Sequence, residues 1–250
     1  MIILLDVGNT SVTYGVSRNG SKLSSFGSNG YYFIPFYVKK CMKSGKHNNV
    51  NIVISSVVPK ITSFLKKSLS ALEAKVWVLR QNLPVAIPSR YQFPGQLGID
   101  RVVNIYGGLK KYGPPFLMID YGTAATFDYV SKSGVFEGGL ILPGPQIAFE
   151  SLTQKAALLP KKLRLPSKTD KFLGRNTRQC LVSGILYGYG AMTDGLIQRF
   201  RKKYGPLKVI ATGGFSSQLK TYSRLIDVCN PRHTLQSLLQ IFVDFKDKRG

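Results

Sequence analysis

One pattern constrains this chain more than any other, because it occurs twice. Ile2-Ile3-Leu4-Leu5 is an unbroken apolar run that leads into Asp6-Val7-Gly8-Asn9-Thr10-Ser11. Phe116-Leu117-Met118-Ile119 leads in the same way into Asp120-Tyr121-Gly122-Thr123-Ala124. An uninterrupted apolar run reads as a strand buried on both faces. Each run ends in a carboxylate and a Gly turn, and a second strand-like run follows, Val12 to Val16 and Thr126 to Val130. Taken singly, the first turn has two readings. It is a plain hairpin connection, since Asn and Gly tolerate positive φ, or a concavity of backbone N–H groups that holds an anion. The repeat shifts the balance to the anion, and an internal duplication of a hairpin-first α/β unit accounts for it economically.

The remaining periodicities fill in the two halves. In the first, a third strand is expected over Leu23 to Phe26 after the Asn19-Gly20 turn, and a helix over Phe33 to Met42 with Pro35 in its first turn. A β-branched strand spans Asn51 to Val58, helical spacing spans Ile61 to Leu72, and a short strand spans Val76 to Leu79. Pro84, Pro88, Pro94 and Gly95 mark a loop that runs into Gly98-Ile99-Asp100-Arg101 and a helix. Gly113-Pro114-Pro115 is the expected boundary, giving halves 1–114 and 115–250. In the second half a third strand runs from Val135 to Leu142, a helix reaches Ala157, and a long helix spans Cys180 to Tyr204. Val209 to Gly214 is a strand ending in a Gly turn, and the last helix begins at His233.

Charge sharpens the choice of functional residues. Lys plus Arg number 35 against 12 Asp plus Glu, a formal +23. Such a surface attracts polyanions. The lysines nevertheless fall in short pairs (Lys39-Lys40, Lys66-Lys67, Lys110-Lys111, Lys161-Lys162, Lys202-Lys203), with no long basic tail and no nucleic-acid-binding motif. Specific nucleic-acid binding is therefore not expected. Before residue 100 only Asp6 and Glu73 are acidic. A carboxylate at the end of a buried strand stands out against that background, as do Asp100, Asp120 and Asp128. Cys41, Cys180 and Cys229 are scattered, and His47 and His233 lie far apart, which argues against a disulfide framework or a zinc site. No apolar stretch approaches the roughly 20 residues of a membrane span, and Asp6 interrupts the N-terminal run as no signal peptide would. A cytoplasmic chain without membrane contact is the expectation.

Seven motifs, in order and covering nearly the whole chain, resemble the type III pantothenate kinase family. They are Asp6-Val7-Gly8-Asn9-Thr10, Ile54-Ser55-Ser56-Val57-Val58-Pro59, Gly98-Ile99-Asp100-Arg101, Asp120-Tyr121-Gly122-Thr123-Ala124, Gly138-Gly139-Leu140-Ile141-Leu142-Pro143-Gly144, Gly174-Arg175-Asn176-Thr177 and Thr212-Gly213-Gly214. The family sits in the superfamily of acetate and sugar kinases, heat-shock ATPases and actin. The resemblance implies an α/β, duplicated ribonuclease H-like (actin-like ATPase) fold, two βββαβα-type halves with the active site in the cleft between them. It implies ATP-dependent phosphorylation of pantothenate, the first step of coenzyme A synthesis, by a homodimer with a shared active site.

The resemblance also assigns roles. ATP falls to Asp6, Val7, Gly8, Asn9, Thr10, Ser11, Val12 and Thr13, with Thr123 on the second turn and Gly213 and Gly214 beside the adenosine. Asp6 would hold Mg²⁺ through water, since Mg²⁺ keeps several waters and takes one or two carboxylates. Asp120 matches the ligand of a monovalent cation, K⁺ or NH₄⁺, with a second Mg²⁺ contact as its alternative role. Asp100 matches the general base, at a helix start where the dipole favours its charged form; read without the family it is an N-cap with Arg101 as a surface ion pair. Tyr91, Gly98, Ile99, Asp100 and Arg101 match pantothenate-binding positions, and Thr177 would reach that substrate from the partner subunit. The chain departs from the family pattern at Ser237, where a glycine is usual, and at Tyr121, which is bulky beside a phosphate turn. The rival reading, suggested by the charge, is a regulatory or nucleic-acid-binding relative without kinase activity.

Overall fold

In the computed structural model the described residues are 1–43, 49–72, 74–155 and 164–249. The helix end expected at Ala157, the pair Lys161-Lys162, and His47 and Glu73 lie outside them. The first run of elements is β1 (Ile2–Val7), β2 (Val12–Ser17), β3 (Ser25–Asn29), α1 (Ile34–Lys43), β4 (Val50–Ser56), α2 (Pro59–Ser70), β5 (Ala74–Val78) and α3 (Ile99–Tyr112). The second is β6 (Phe116–Tyr121), β7 (Ala124–Val130), β8 (Phe136–Pro143), α4 (Pro145–Lys155), α5 (Thr177–Tyr204), β9 (Lys208–Thr212), α6 (Ser216–Lys220), β10 (Val228–Cys229) and α7 (His233–Asp247).

Each run builds one five-stranded sheet, in the orders β3-β2-β1-β4-β5 and β10-β9-β6-β7-β8. The two orders are the same topology read from opposite edges. β1 and β6 are each flanked by an antiparallel hairpin strand on one side and a parallel crossover strand on the other. The duplication inferred from the repeated Asp-Gly turn is thus a duplication of sheet topology. Both repeat-opening strands are buried on both faces. Ile3, Leu5 and Val7 pack with Ile34 and Val38 of α1 and Leu65 and Leu69 of α2, while Leu4 is fully buried on the other face. Leu117, Ile119 and Tyr121 pack with Val182, Leu186 and Ile197 of α5.

The chain divides into two compact units, Met1–Pro88 with Gln92–Lys111 and His233–Gly250, and Ser89–Tyr91 with Tyr112–Arg232. The change after Lys111 falls close to the boundary expected after residue 114. The last helix does not follow the expected division, because α7 packs on β1, β2 and β4 of the first unit. Its apolar stripe, including Leu235, Leu238, Phe242 and Phe245, covers the face that α1 and α2 leave open. Trp77 of β5 is part of this contact, with ring centroids 5.8 Å from Phe242 and 5.4 Å from Phe245.

Several element ends differ from the sequence expectation for local reasons. β3 starts at Ser25 rather than Leu23, because Ser17 and Asn19 side chains accept from Gly20, Ser21 and Lys22 N–H groups and lengthen the turn. α5 starts three residues early. Asn176 caps it by accepting from Gln179 N at 2.9 Å, and Gln179 Oε1 accepts in return from Arg175 N, so the two satisfy orphan donors as a capping box does. α6 and β10 were not foreseen; five and two residues are too short for periodicity to register. By length and composition α5 is also apolar enough to cross a membrane, contrary to the expectation that no stretch is. Here its apolar positions line the core of the second unit.

The α3–α7 contact accounts for the departure at Ser237. Ser237 is buried, donates its hydroxyl to His233 O at 2.8 Å, and lies so close to α3 that a Cβ on Gly107 would sit 1.8 Å from its Oγ. The bulk absent from Gly107 is present at Ser237. Gly107→Ala should therefore cost about 1–3 kcal/mol by overpacking, read as a lower urea midpoint at unchanged slope. His233 lies in the same contact, its Nε2 2.9 Å from Asn104 O. Burial, with Lys111 nearby, lowers its pKa from 6.5 to about 4. A folded pKa below the unfolded one means that the unfolded chain takes up the proton first, so this contribution is complete above pH 6.5 and is lost as pH falls toward 4. Urea melts should show stability dropping across that window in the parent and less steeply in His233→Gln.

Candidate active site

The first turn is a four-residue connection. Val7 pairs with Val12 across the hairpin, and Gly8 N donates to Ser11 O at 3.0 Å. Tyr31, which no sequence signal marked, donates its hydroxyl to Gly8 O at 2.8 Å and braces the turn from outside. Asn9 and Thr10 are exposed at the tip. Val7 and Val12 send their side chains into the core, so only their backbone can meet a ligand. Asp6 stands one residue before the strand end, in register with Thr13 on β2 and Ser55 on β4.

The second unit repeats the arrangement. Asp120 is in register with Thr126 on β7 and Thr212 on β9. Gly122 N donates to Ala124 O at 3.0 Å and closes the turn. Two other segments press on it. Gly144 N donates to Thr123 O at 2.9 Å, and a Cβ on Gly144 would sit 2.2 Å from Gly122 O. Gly213, at φ +89°, lies against Asp120 and Tyr121: its Cβ would be 2.3 Å from Asp120 Oδ1. Phe215 N donates to Tyr121 O at 3.2 Å. The structure thus joins Asp120, Thr123, Gly213 and Gly214 in one place and adds Gly144, which stood in a quoted motif without a role. Tyr121 does not crowd the turn. Its side chain is fully buried, edge-on to Phe127, with its hydroxyl 2.6 Å from Thr193 Oγ1, and burial pushes its pKa up.

Asp100 lies in the first turn of α3, one residue inside the helix rather than at its cap. Val102 N donates to Gly98 O at 3.2 Å and starts the helix. Asp100 Oδ1 accepts from Arg101 N at 2.9 Å, and a Cβ on Gly98 would lie 2.4 Å from that oxygen. Glycine at 98 is what leaves room for the carboxylate. Arg101 is buried, which corrects its reading as a surface ion pair; Leu97 and Ile99 are buried on either side of Gly98. The Gly98–Arg101 group is therefore assembled within the first unit. Tyr91 and Thr177 belong to the second unit, Tyr91 stacked on Phe136 at 5.9 Å and Thr177 exposed at the start of α5.

Both strand-end carboxylates suit a hard cation. Their neighbours are oxygen donors, and among the described residues no group of three His, Cys, Asp or Glu could cage a metal alone. One carboxylate with hydroxyls around it is the donor set expected where Mg²⁺ keeps its waters and meets phosphate. Ser55 Oγ and Thr212 Oγ1, the register partners of Asp6 and Asp120, are buried without a hydrogen-bond partner, so each unit has a polar floor beside its carboxylate.

The chain is similar to known proteins over its whole length. The family model for type III pantothenate kinase matches residues 2–199. A type III pantothenate kinase of Geobacillus sp. (strain WCH70) is 33% identical over 260 residues, covering 100% of both chains. Among solved structures, a protein of Campylobacter jejuni assigned to the Baf family of transcriptional activators has a TM-score of 0.60 at 19% identity, over 98% of this chain and 99% of its own. The activator of 2-hydroxyisocaproyl-CoA dehydratase from Clostridium difficile, solved with bound ADPNP, has a TM-score of 0.55 at 11% identity, over 99% and 96%. These two likenesses carry the fold.

Gly213→Ala tests the second turn. A side chain at φ +89° meeting Asp120 at 2.3 Å should cost about 2 kcal/mol or more. A lower urea midpoint at unchanged slope should report that loss of stability.

Proposed function

The chain belongs to the type III pantothenate kinase family, and from that premise we propose how its residues share the work of phosphorylating pantothenate with ATP, the first step of coenzyme A synthesis. The observation that carries the assignment of the base is Asp100, placed in the first turn of α3 with one oxygen held by Arg101 N at 2.9 Å. That bond leaves Oδ2 to accept the proton of the pantothenate hydroxyl. As the proton moves to Asp100, the hydroxyl oxygen forms its bond to the γ-phosphorus, the bond to the bridging oxygen breaks, and ADP leaves. Such a transfer is governed by positioning and charge neutralisation more than by covalent chemistry.

The phosphates fall to the first turn, through the backbone of residues 6–13 and the side chains of Asn9, Thr10 and Ser11. Thr123 adds a contact from the second turn, and Gly213 and Gly214 let backbone approach the adenosine. A divalent metal, Mg²⁺ on this reading, supplies charge neutralisation when bound; Asp6 would hold it through water. Asp120, in its oxygen-rich surroundings, would hold K⁺ or NH₄⁺. Tyr91, Gly98, Ile99 and Arg101 bind pantothenate, the buried Arg101 supplying a fixed positive charge suited to the substrate's carboxylate.

Thr177 would complete the pocket from the partner subunit of a homodimer. In its support, Ile141, Phe172 and Leu173 of the same unit are 62%, 69% and 78% exposed, apolar surface of the kind an interface covers. A cytoplasmic location fits a reaction that consumes ATP. The rival regulatory reading rests on the +23 charge; sequence-selective DNA binding that survives physiological salt would favour it.

Asp100→Asn should lower kcat by about 10²–10⁴-fold, the usual worth of a general base, with ATP affinity retained. Exchange of K⁺ for tetramethylammonium should abolish turnover in the parent. Coupled ADP-release assays read both; an Asp100→Asn variant with parental kcat would sink the assignment.

A further inference from the structure

Arg80 is the one non-glycine residue with positive φ among the described residues, at +62°. Nothing in the roles assigned above uses it. Left-handed backbone is unfavourable for a residue with a Cβ, and it persists only where the surroundings over-determine it. Here they do. Val78 O accepts from the N–H groups of Gln81, Asn82 and Leu83 at 3.1–3.2 Å. Asn82 Oδ1 accepts from Val78 N at 2.6 Å, and Asn82 Nδ2 donates to Val76 O at 2.9 Å. Arg80 N donates to Leu83 O at 3.0 Å, while Leu79 and Leu83 are buried. The turn after β5 is thereby locked with Arg80 at its bend.

What the bend achieves is an aim. Arg80 Nη1 donates to Leu97 O at 2.8 Å. That carbonyl belongs to the peptide joining Leu97 to Gly98, so the guanidinium fixes the plane of the peptide that enters the Gly98-Ile99-Asp100-Arg101 group. Gly98 in turn is the residue whose missing Cβ makes room, at 2.4 Å, for Asp100 Oδ1. A rotation of the Leu97–Gly98 peptide would move Gly98 against the carboxylate. The contact is charge-assisted on the donor side, the stronger class of hydrogen bond, and it joins two segments 17 residues apart in sequence.

We propose that Arg80 is a positioning residue for Asp100, its strained bend directing a guanidinium onto the Leu97 carbonyl so that the peptide before Gly98 holds the catalytic carboxylate in place. The inference rests on the reading of Asp100 as the base. It belongs to this chain's own contacts and involves only the first unit.

Arg80→Gly separates positioning from support, because glycine accepts φ +62° without strain while the guanidinium is lost with the rest of the side chain. The expected result is a melting temperature equal to or above the parent's, kcat reduced about 10–100-fold, as a displacement of about 1 Å costs, and an unchanged KM for ATP. Millimolar guanidinium chloride should restore part of kcat in Arg80→Gly and none in Asp100→Asn. Hydrogen exchange over residues 97–101 should speed up in Arg80→Gly while the rest of the chain is unaltered. A stable Arg80→Gly enzyme with parental kcat, or unaltered exchange over 97–101, overturns the proposal. If the parent itself fails to phosphorylate pantothenate while exchange over 97–101 still responds, the function reading falls and the restraint by Arg80 stands.

Discussion

A carboxylate on a strand that is buried on both faces is tolerated where it is paired, or at the end of the strand where it meets water or a counter-ion. Burying it deeper and unpaired would cost several kcal/mol. β1 and β6 each carry such a group one residue before their last, after runs of fully buried side chains. That constraint fixes the edge of each sheet at which its carboxylate lies. Parallel pairing with β4 and β9 then brings the ends of the crossover strands to the same edge, Ser55 beside Asp6 and Thr212 beside Asp120. The glycines at 144 and 213 follow from the same crowding, since no side chain fits where three backbone segments converge on the second turn.

Much of this was legible in the chain itself. The repeated Asp-Gly turn gave away the duplicated topology, because a period-free apolar run ending in a carboxylate is rare in a sequence so poor in acids. Gly98 and Gly213 were equally visible as glycines in turns, and at each an added Cβ would meet a carboxylate oxygen, at 2.4 and 2.3 Å. What stayed hidden depends on tertiary contact. Tyr31 bracing Gly8 and Arg80 reaching Leu97 are single side chains crossing 23 and 17 residues, and no local pattern announces them. The burial of Arg101 was hidden for the same reason, as a charge in a helix's first turn looks like a solvated pair until the packing around it is known. The membership of α7 in the first unit was hidden too, because an amphipathic helix states that it needs a partner without stating which.

Ser237 and Tyr121 show how a departure from a family pattern can be local in its consequences. Ser237 fills the space opposite Gly107 and returns its hydroxyl to its own helix. Tyr121 follows the strand alternation into the core and satisfies its hydroxyl on Thr193. In each case the polar atom is paired within hydrogen-bond distance, so the substitution leaves no buried donor or acceptor orphaned.

α3 closes the first repeat and α7 the second, so the two helices are topological counterparts, and both pack in the first unit. Aligned at their starts, Ile99 and His233, the position of Asp100 corresponds to Thr234 in α7. Thr234 donates to Asn104 Oδ1 at 2.8 Å and so ties α7 to α3. On the proposed assignment the two turns meet a nucleotide that has charge along its length, whereas the transfer moves a single proton. Arg80 reaches the neighbouring segment through Leu97 O, so the start of α3 is tied both to α7 and to the turn after β5.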